Sequence, residues 1–342
     1  MGNDQYRLDF KALSYALGFG ELLTEPERIC GGLLHRMYRV ETASATYAVK
    51  ALNPQVMKRK PAMGHYLFSE KVTKLCLENG IKALPALVVA EKAMHEIGGQ
   101  HYMVFDWFEG RAVNELNIDH RRCLVMGEEL AKIHLLDMGD LASEYDSGKD
   151  DFCESDWAAY ALKSGGHSWH QAYLEQVEVL KLLQKRVNQA QKNLEKNQVV
   201  SHRDLDPKNV LWDKCQNPML IDWEAAGLVN PTVELIEVAL SWSMTEDDGF
   251  IKENFQAVLE AYGRCGAKIK DDIEDALYAA CDGKLGWLEY SLRRALGIEA
   301  SDKDEMELGA SEVVSTLKSI VNHMKWIPTL KGWISKSVLR AK

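Results

Sequence analysis

The sequence predicts an α+β chain in two parts, a small antiparallel β-rich region followed by a large, mostly helical one. Three observations carry this. In the first hundred residues, short Val- and Tyr-rich runs alternate with turns. After Gly110, apolar residues recur at helical spacing over long stretches. Residues 199–223 interrupt those helical patterns with short apolar runs around a dense group of charges. The expected division is 1–108 and 109–342.

Taken in order, residues 6–17 suit a short amphipathic helix. RMYRVE and TYAVKAL are the two arms of a strand pair. Residues 64–79 place Leu67, Val72, Leu75 and Cys76 near helical spacing, and Gly80 supplies a stop. LPALVVAEK and QHYMVFDWFEG are expected as two further strands, with HEIGG as the turn between them. Beyond Gly110, helices are expected over 118–138, 168–197, 231–243, 250–263, 271–297 and 310–325. No internal repeat or low-complexity tract is visible.

Composition narrows the function. At 46% hydrophobic, the 342 residues can bury a sizeable core. A net charge of -10 argues against a nucleic-acid binder that depends on phosphate contacts. The seven cysteines, Cys30, Cys76, Cys123, Cys153, Cys215, Cys265 and Cys281, are odd in number and lack CxxC spacing. They read as reduced, buried thiols rather than a disulfide frame or a zinc site. The start, MGNDQYRLDFKAL, has no apolar segment of a signal peptide, and Tyr6 stands where a myristoylation signal carries Ser or Thr. No run of eighteen apolar residues could span a membrane. The expected location is the cytoplasm.

The chemistry concentrates in VVSHRDLDPKNVLWD, residues 199–213. VLWD and PMLIDW are strand-like arms joined by KCQNP, a good hairpin turn. Such a hairpin brings Asn209, before one arm, and Asp222, ending the other, to one end. A carboxylate and a carboxamide form an all-oxygen set that suits Mg²⁺ and not zinc. Mg²⁺ with so few protein ligands completes its shell with water and nucleotide phosphates. Asp204, on the loop before Asn209, is then expected to accept a hydrogen bond from an incoming hydroxyl and orient it. In phosphoryl transfer, positioning and charge neutralisation supply most of the acceleration, so this base need not be strong.

At these residues the sequence resembles known enzymes. HRDLDPKN fits H-R-D-L-x-x-x-N, the protein-kinase catalytic loop, and IDW stands where protein kinases carry D-F-G. The IDWE form and the spacing from Asn209 to Asp222 resemble more closely the aminoglycoside phosphotransferase and choline kinase group of small-molecule kinases. The resemblance runs over residues 30–300. It implies a bilobal protein-kinase-like fold with ATP, or GTP, as phosphoryl donor and Mg²⁺ as cofactor. Lys50 in TYAVK matches the lysine of the V-A-I-K strand that holds the phosphates, and Glu70 on the first region's helix is its expected ion-pair partner. Gly31 and Gly32 stand where backbone N–H groups would cradle phosphate, although G-x-G-x-x-G is absent. His35 and Arg36 are further cations beside that turn. The Asp106 carbonyl and Phe108 N–H would meet the adenine edge, with Phe105 behind it. His202 would orient its loop, and His134 reads as a satisfied core histidine. Glu224 is open between a metal and a base. Arg203 has no assigned role, since small-molecule kinases often carry Gly there.

The acceptor is less legible. Residues 231–310 hold 18 acidic and 8 basic residues, a surplus of ten. Such a wall attracts a polycation; a plain solvated surface is the alternative. Trp223, Trp242, Trp287 and Tyr290, with Glu289 nearby, could hold a quaternary ammonium, or belong to a core. The expected partner is therefore a small hydroxyl acceptor, aminoglycoside-type and cationic, with choline, another amino alcohol or a sugar as alternatives, and with no nucleic acid or membrane. Two rivals stand beside this reading. A protein kinase is disfavoured because no A-P-E follows Asp222 and WEAAGLVNPT runs into a helix. A catalytically inactive nucleotide-binding protein is disfavoured because every ionic position the chemistry needs is filled.

Overall fold

A computed structural model describes residues 6–29, 34–113, 118–145, 155–245 and 249–340. The chain forms two compact units. The first is Met1–Val113 with Met138–Asp146 and Lys208–Ala226; the second is Asn114–Asp137 with Ser147–Pro207 and Gly227–Lys342. The hairpin around Asn209 and Asp222, which the sequence places in the second region, thus packs with the first.

The first unit is built on a five-stranded sheet. Its strands are β1 (Glu27–Ile29), β2 (Arg36–Glu41), β3 (Thr46–Ala51), β4 (Met94–Ile97) and β5 (Gln100–Asp106), in the order β1-β2-β3-β5-β4 with every pair antiparallel. Alternation along TYAVKA sorts side chains between the two faces. Tyr47, Val49 and Ala51 join Tyr38, Val40, Tyr102 and Val104 in a core with helix α1 (Phe10–Leu17). Asp9 caps α1 by accepting from the Ala12 N–H at 2.9 Å, and Gly18, at φ 72°, ends it. Lys50 therefore points to the opposite face, with Met37 and Met103 beside it in register. Leu52, Met94 and Met103 pack there against Ala62 and Tyr66 of the main helix. After a one-turn helix, α2 (Pro54–Met57), that helix is α3 (Ala62–Glu78).

Residues 84–92 are not the strand their apolar run suggests. The Leu84 N–H donates to Leu220 O (3.1 Å) and the Leu87 N–H to Val104 O (2.7 Å), with Pro85 between them lacking a donor. Two different partners and a missing N–H prevent a ladder. Ala90 and Glu91, at φ 49° and 62°, then turn the chain. The expected turn HEIGG is instead mostly strand, β4, with Gly98 and Gly99 supplying the bend.

A second sheet in this unit has the order β6-β8-β9, from β6 (Arg111–Ala112), β8 (Val210–Trp212) and β9 (Pro218–Leu220). The expected hairpin is present, with Val210 opposite Leu220 and Trp212 opposite Pro218. Asp213 closes its turn by accepting from the Asn217 N–H at 2.8 Å and from its amide at 2.9 Å. A short helix, α5 (Leu141–Glu144), also belongs here, tied to α3 by Lys71 and Glu144 at 2.5 Å.

The second unit is helical apart from the pair β7 (Val199–Ser201) and β10 (Gly227–Val229). Its helices are α4 (His120–Leu135), α6 (Trp157–Lys163), α7 (His170–Leu174), α8 (Val177–Leu194), α9 (Pro231–Ser241), α10 (Lys252–Arg264), α11 (Ile273–Ala279), α12 (Asp282–Ala295) and α13 (Lys303–Arg340). The two longest expected helices are each broken once. At Gln176 and Cys281 the chain tightens to i,i+3 bonds (Gln176 N–H to Tyr173 O, 2.9 Å; Cys281 N–H to Tyr278 O, 3.0 Å), which redirects it. Helices α4 and α10 cross so closely that a Cβ at Gly127 would lie 2.3 Å from Val258 O. Trp157, Trp169, Tyr173, Leu180, Leu288 and Val313 anchor the core. Of the described cysteines, Cys76, Cys123 and Cys281 are buried free thiols as expected, whereas Cys215 and Cys265 are exposed. No helix among the described residues is long and apolar enough to cross a membrane.

Candidate active site

In the first unit, Lys50, Tyr66, Ser69, Glu70, Met103, Phe105, Asp222 and Glu224 line one pocket. Lys50 reaches it from β3, Glu70 from α3 and Phe105 from β5. Asp222 follows β9 in the left-handed conformation, φ 62°, and a 3₁₀ turn over Trp223–Ala225 carries Glu224 to the same side. Positive φ is uncommon for a non-glycine residue, so the turn is held by its surroundings: Trp223 is buried and its Nε1–H donates to Leu220 O at 3.1 Å.

The Lys50 ammonium is bound by Asp222 and by Glu224 Oε2, the latter at 2.7 Å. Burial by itself would lower its pKa, but the two carboxylates hold it well above the ordinary lysine range. Glu224 shows the converse: burial opposes its charge, yet Lys50 and His35 keep it far below the usual carboxylate range. In this structure Glu224 is paired with two bases, Lys50 and His35. The expected Lys50–Glu70 ion pair is not formed. Glu70 Oε2 instead accepts from the Ala86 N–H at 2.7 Å, and burial raises its pKa. Pairing is decided by reach: Asp222 and the 3₁₀ turn that follows it deliver two carboxylates to the ammonium, while the extended chain at Ala86 takes Glu70.

Asn209 and Asp222 stand at one end of the hairpin, as expected. The Ile221 N–H donates to Asn209 O at 2.9 Å, which continues the β8–β9 pairing one step beyond Val210, and the Asn209 side chain is buried. Among the described residues, no group of three or more His, Cys, Asp or Glu is arranged to hold a metal ion. An amide and a carboxylate, both oxygen donors, fit Mg²⁺ that takes its remaining ligands from water and phosphate. Asp106 ends β5 opposite Tyr47, and the chain continues through Phe108, whose carbonyl accepts from the Gly110 N–H at 2.9 Å. Gly31 and Gly32 lie outside the described residues.

Asp204 belongs to the second unit, on a loop stitched down through its backbone. The Asp204 N–H donates to His202 Nδ1 at 3.2 Å, and His202 is fully buried. The Arg203 N–H donates to Glu234 Oε1 at 2.6 Å, and the Trp242 Nε1–H donates to Leu205 O at 2.8 Å. Arg203 has φ 65°, a conformation that glycine adopts more readily. Glu234 Oε2 also meets His134 Nε2 at 2.7 Å, and His134 Nδ1 meets the Tyr262 hydroxyl at 2.8 Å. His134 is therefore the satisfied core histidine that its apolar helix face suggests. The sequence did not single out Glu234; two acids, Glu234 and Glu237, in an otherwise apolar helix, PTVELIEVAL, were the available signal. Nor did it single out Tyr66, which reads as one more aromatic on α3.

Residues 25–267 match the phosphotransferase enzyme family, APH. No curated protein matches the sequence. Among solved structures, a spectinomycin phosphotransferase, APH(9)-Ia, in complex with ADP and spectinomycin is similar at TM-score 0.67 and 13% identity, over 92% of this chain and 98% of that one. An ethanolamine kinase of Plasmodium vivax is similar at TM-score 0.58 and 15% identity, over 87% and 83%. A choline kinase of Cryptosporidium parvum follows at TM-score 0.54 and 12% identity, over 92% and 93%. At these identities the likeness is one of fold, and it meets the expectation of a protein-kinase-like architecture. The family match spans well over half of the sequence, and the chain belongs to the phosphotransferase enzyme family.

Proposed function

We propose that the protein transfers the γ-phosphoryl group of ATP to a hydroxyl of a small cationic molecule of the aminoglycoside type. The observation that carries the reading is the pocket in which Lys50, Phe105, Asp222 and Glu224 converge. Lys50 would hold the nucleotide's phosphates. The Asp106 carbonyl and the Phe108 N–H would receive the adenine edge, with Phe105 at its back, and Gly31 and Gly32 would offer backbone N–H groups to phosphate. Asn209 and Asp222 would hold Mg²⁺, with Asp222 turning from Lys50 to the metal. Magnesium, when bound, neutralises charge on the phosphoryl oxygens. Asp204 would orient the acceptor hydroxyl and take its proton. The new P–O bond then forms as the bond to the bridging oxygen breaks, and ADP leaves. A cytoplasmic location belongs to the same proposal.

Two observations bear on the acceptor. The acidic surplus over residues 231–310 favours a cation. An aromatic ammonium cage has less support. Trp223 and Trp242 are buried and donate to backbone carbonyls, and the Trp287 Nε1–H donates to Glu312 at 2.9 Å. Glu289 accepts from the Tyr160 hydroxyl at 2.9 Å and the Ser155 hydroxyl at 2.6 Å. The test is ADP release across a panel of aminoglycosides, choline and other amino alcohols, simple amines and sugars. Turnover is expected with a polyamine-bearing acceptor and should fall as salt rises. Turnover with neutral sugars alone would overturn the cationic assignment. Mg-ATP binding without turnover of any acceptor would favour an inactive nucleotide-binding protein.

A further inference from the structure

His35 stands just before β2 and is buried, and the chemistry proposed above leaves it without a role. Its two ring nitrogens face different neighbours. Nδ1 accepts from the Asn53 N–H at 2.9 Å. A nitrogen that accepts cannot also carry the ring proton, so the neutral imidazole is the Nε2–H tautomer. That Nε2–H edge faces the Tyr66 hydroxyl at 2.6 Å and Glu224 Oε2 at 3.3 Å. The same Glu224 oxygen lies 2.7 Å from Lys50 Nζ. A chain of contacts therefore runs from the Asn53 backbone through His35 to Glu224 and on to Lys50. Glu70, the partner expected from α3, is committed to the Ala86 N–H.

We propose that His35 is a positioning residue. Through the Nε2–H edge it shares with Tyr66, it holds Glu224 against Lys50, so that Lys50 is fixed from the segment after Asp222 rather than from α3. The inference rests on the reading that Lys50 meets nucleotide phosphates, and it explains why a buried imidazole sits beside that lysine. Removing the edge lets Glu224 swing away and leaves the ammonium with one fewer fixed partner.

The two amide side chains separate the two ring nitrogens. Gln at position 35 can place a donor near Nε2, whereas Asn can replace only the acceptor near Nδ1. Titration of Mg-ATP into His35→Gln should give a Kd within about threefold of wild type, and His35→Asn should weaken binding roughly tenfold. Tyr66→Phe, which removes only a hydroxyl, should shift Kd in the same direction by a smaller factor, and it carries the test if His35→Asn does not fold. A second readout needs no nucleotide. Acylation of Lys50, followed by mass spectrometry, should be roughly fivefold faster in His35→Asn and near wild type in His35→Gln. Equal behaviour of the two His35 variants, with no change in Tyr66→Phe, overturns the proposal. A wild-type chain that does not bind Mg-ATP overturns the nucleotide reading instead, and the Lys50 labelling then decides the role of His35.

Discussion

The two units restrain their polar groups in opposite ways. Around Lys50, charge is answered by charge: one ammonium, two carboxylates and a histidine edge meet side chain to side chain. Around Asp204, buried side chains mostly bind backbone: Glu234, Trp242 and His202 each engage a main-chain group of the loop, with Glu234 also paired to His134. Elsewhere in the unit, His323 on α13 meets Leu277 O at 2.9 Å. Charge pairs are adjustable, since each partner can exchange the other for a ligand. Backbone bonds fix a loop's course regardless of what binds. A site that must accept and release a charged nucleotide is suited to the first kind of restraint, and a loop that must present one carboxylate at a constant angle is suited to the second.

The sharpest way to separate these roles is Asp204→Asn. It should lower turnover by roughly a thousandfold while leaving Mg-ATP affinity within a few-fold, measured by ADP release and by titration. Retained activity would remove Asp204 from the chemistry and leave its loop as structure alone. The backbone stitching is tested by Glu234→Ala, which removes the carboxylate partner of buried His134 and the acceptor of the part-buried Arg203 N–H. It should cost about 4 kcal/mol in urea unfolding. A loss below about 1 kcal/mol would mean that the loop holds its course without Glu234.

A smaller effect concerns pH. Burial lowers the His323 pKa from 6.5 to about 4. The unfolded chain thus binds a proton that the folded chain refuses, so this contribution is complete above about pH 6.5 and is lost as pH falls toward 4. Unfolding free energy should drop on the order of 2 kcal/mol between pH 7 and 4.5, and His323→Gln should flatten that slope. An unchanged slope in the variant would assign the acid sensitivity to other groups.

Much of this was legible in the sequence. The match of TYAVK to the V-A-I-K strand picked out Lys50, and the turn chemistry of KCQNP fixed the hairpin that aligns Asn209 with Asp222. What was missed depends on tertiary reach. Glu70 stands at the expected spacing, yet the Ala86 N–H claims it, and no local pattern reports that competition. LPALVVAEK has the composition of a strand, but Pro85 and two different hydrogen-bond partners keep it irregular. The breaks at Gln176 and Cys281 are single tightened turns inside sequences that read as unbroken helices. His35 drew notice as a cation beside the phosphate turn, but its burial against Tyr66 and Glu224 arises only once α3 and the 3₁₀ turn pack together.

The central claim is that Asn209 and Asp222 bring a divalent ion to a nucleotide held by Lys50. Calorimetric titration of ATP, with and without Mg²⁺, into wild type and Asp222→Ala tests it most directly. Mg²⁺ should tighten ATP binding to the wild-type chain by roughly tenfold or more, and Asp222→Ala should abolish that gain. Equal affinity with and without the metal, or an Asp222→Ala variant that keeps the full Mg²⁺ dependence, would contradict the account.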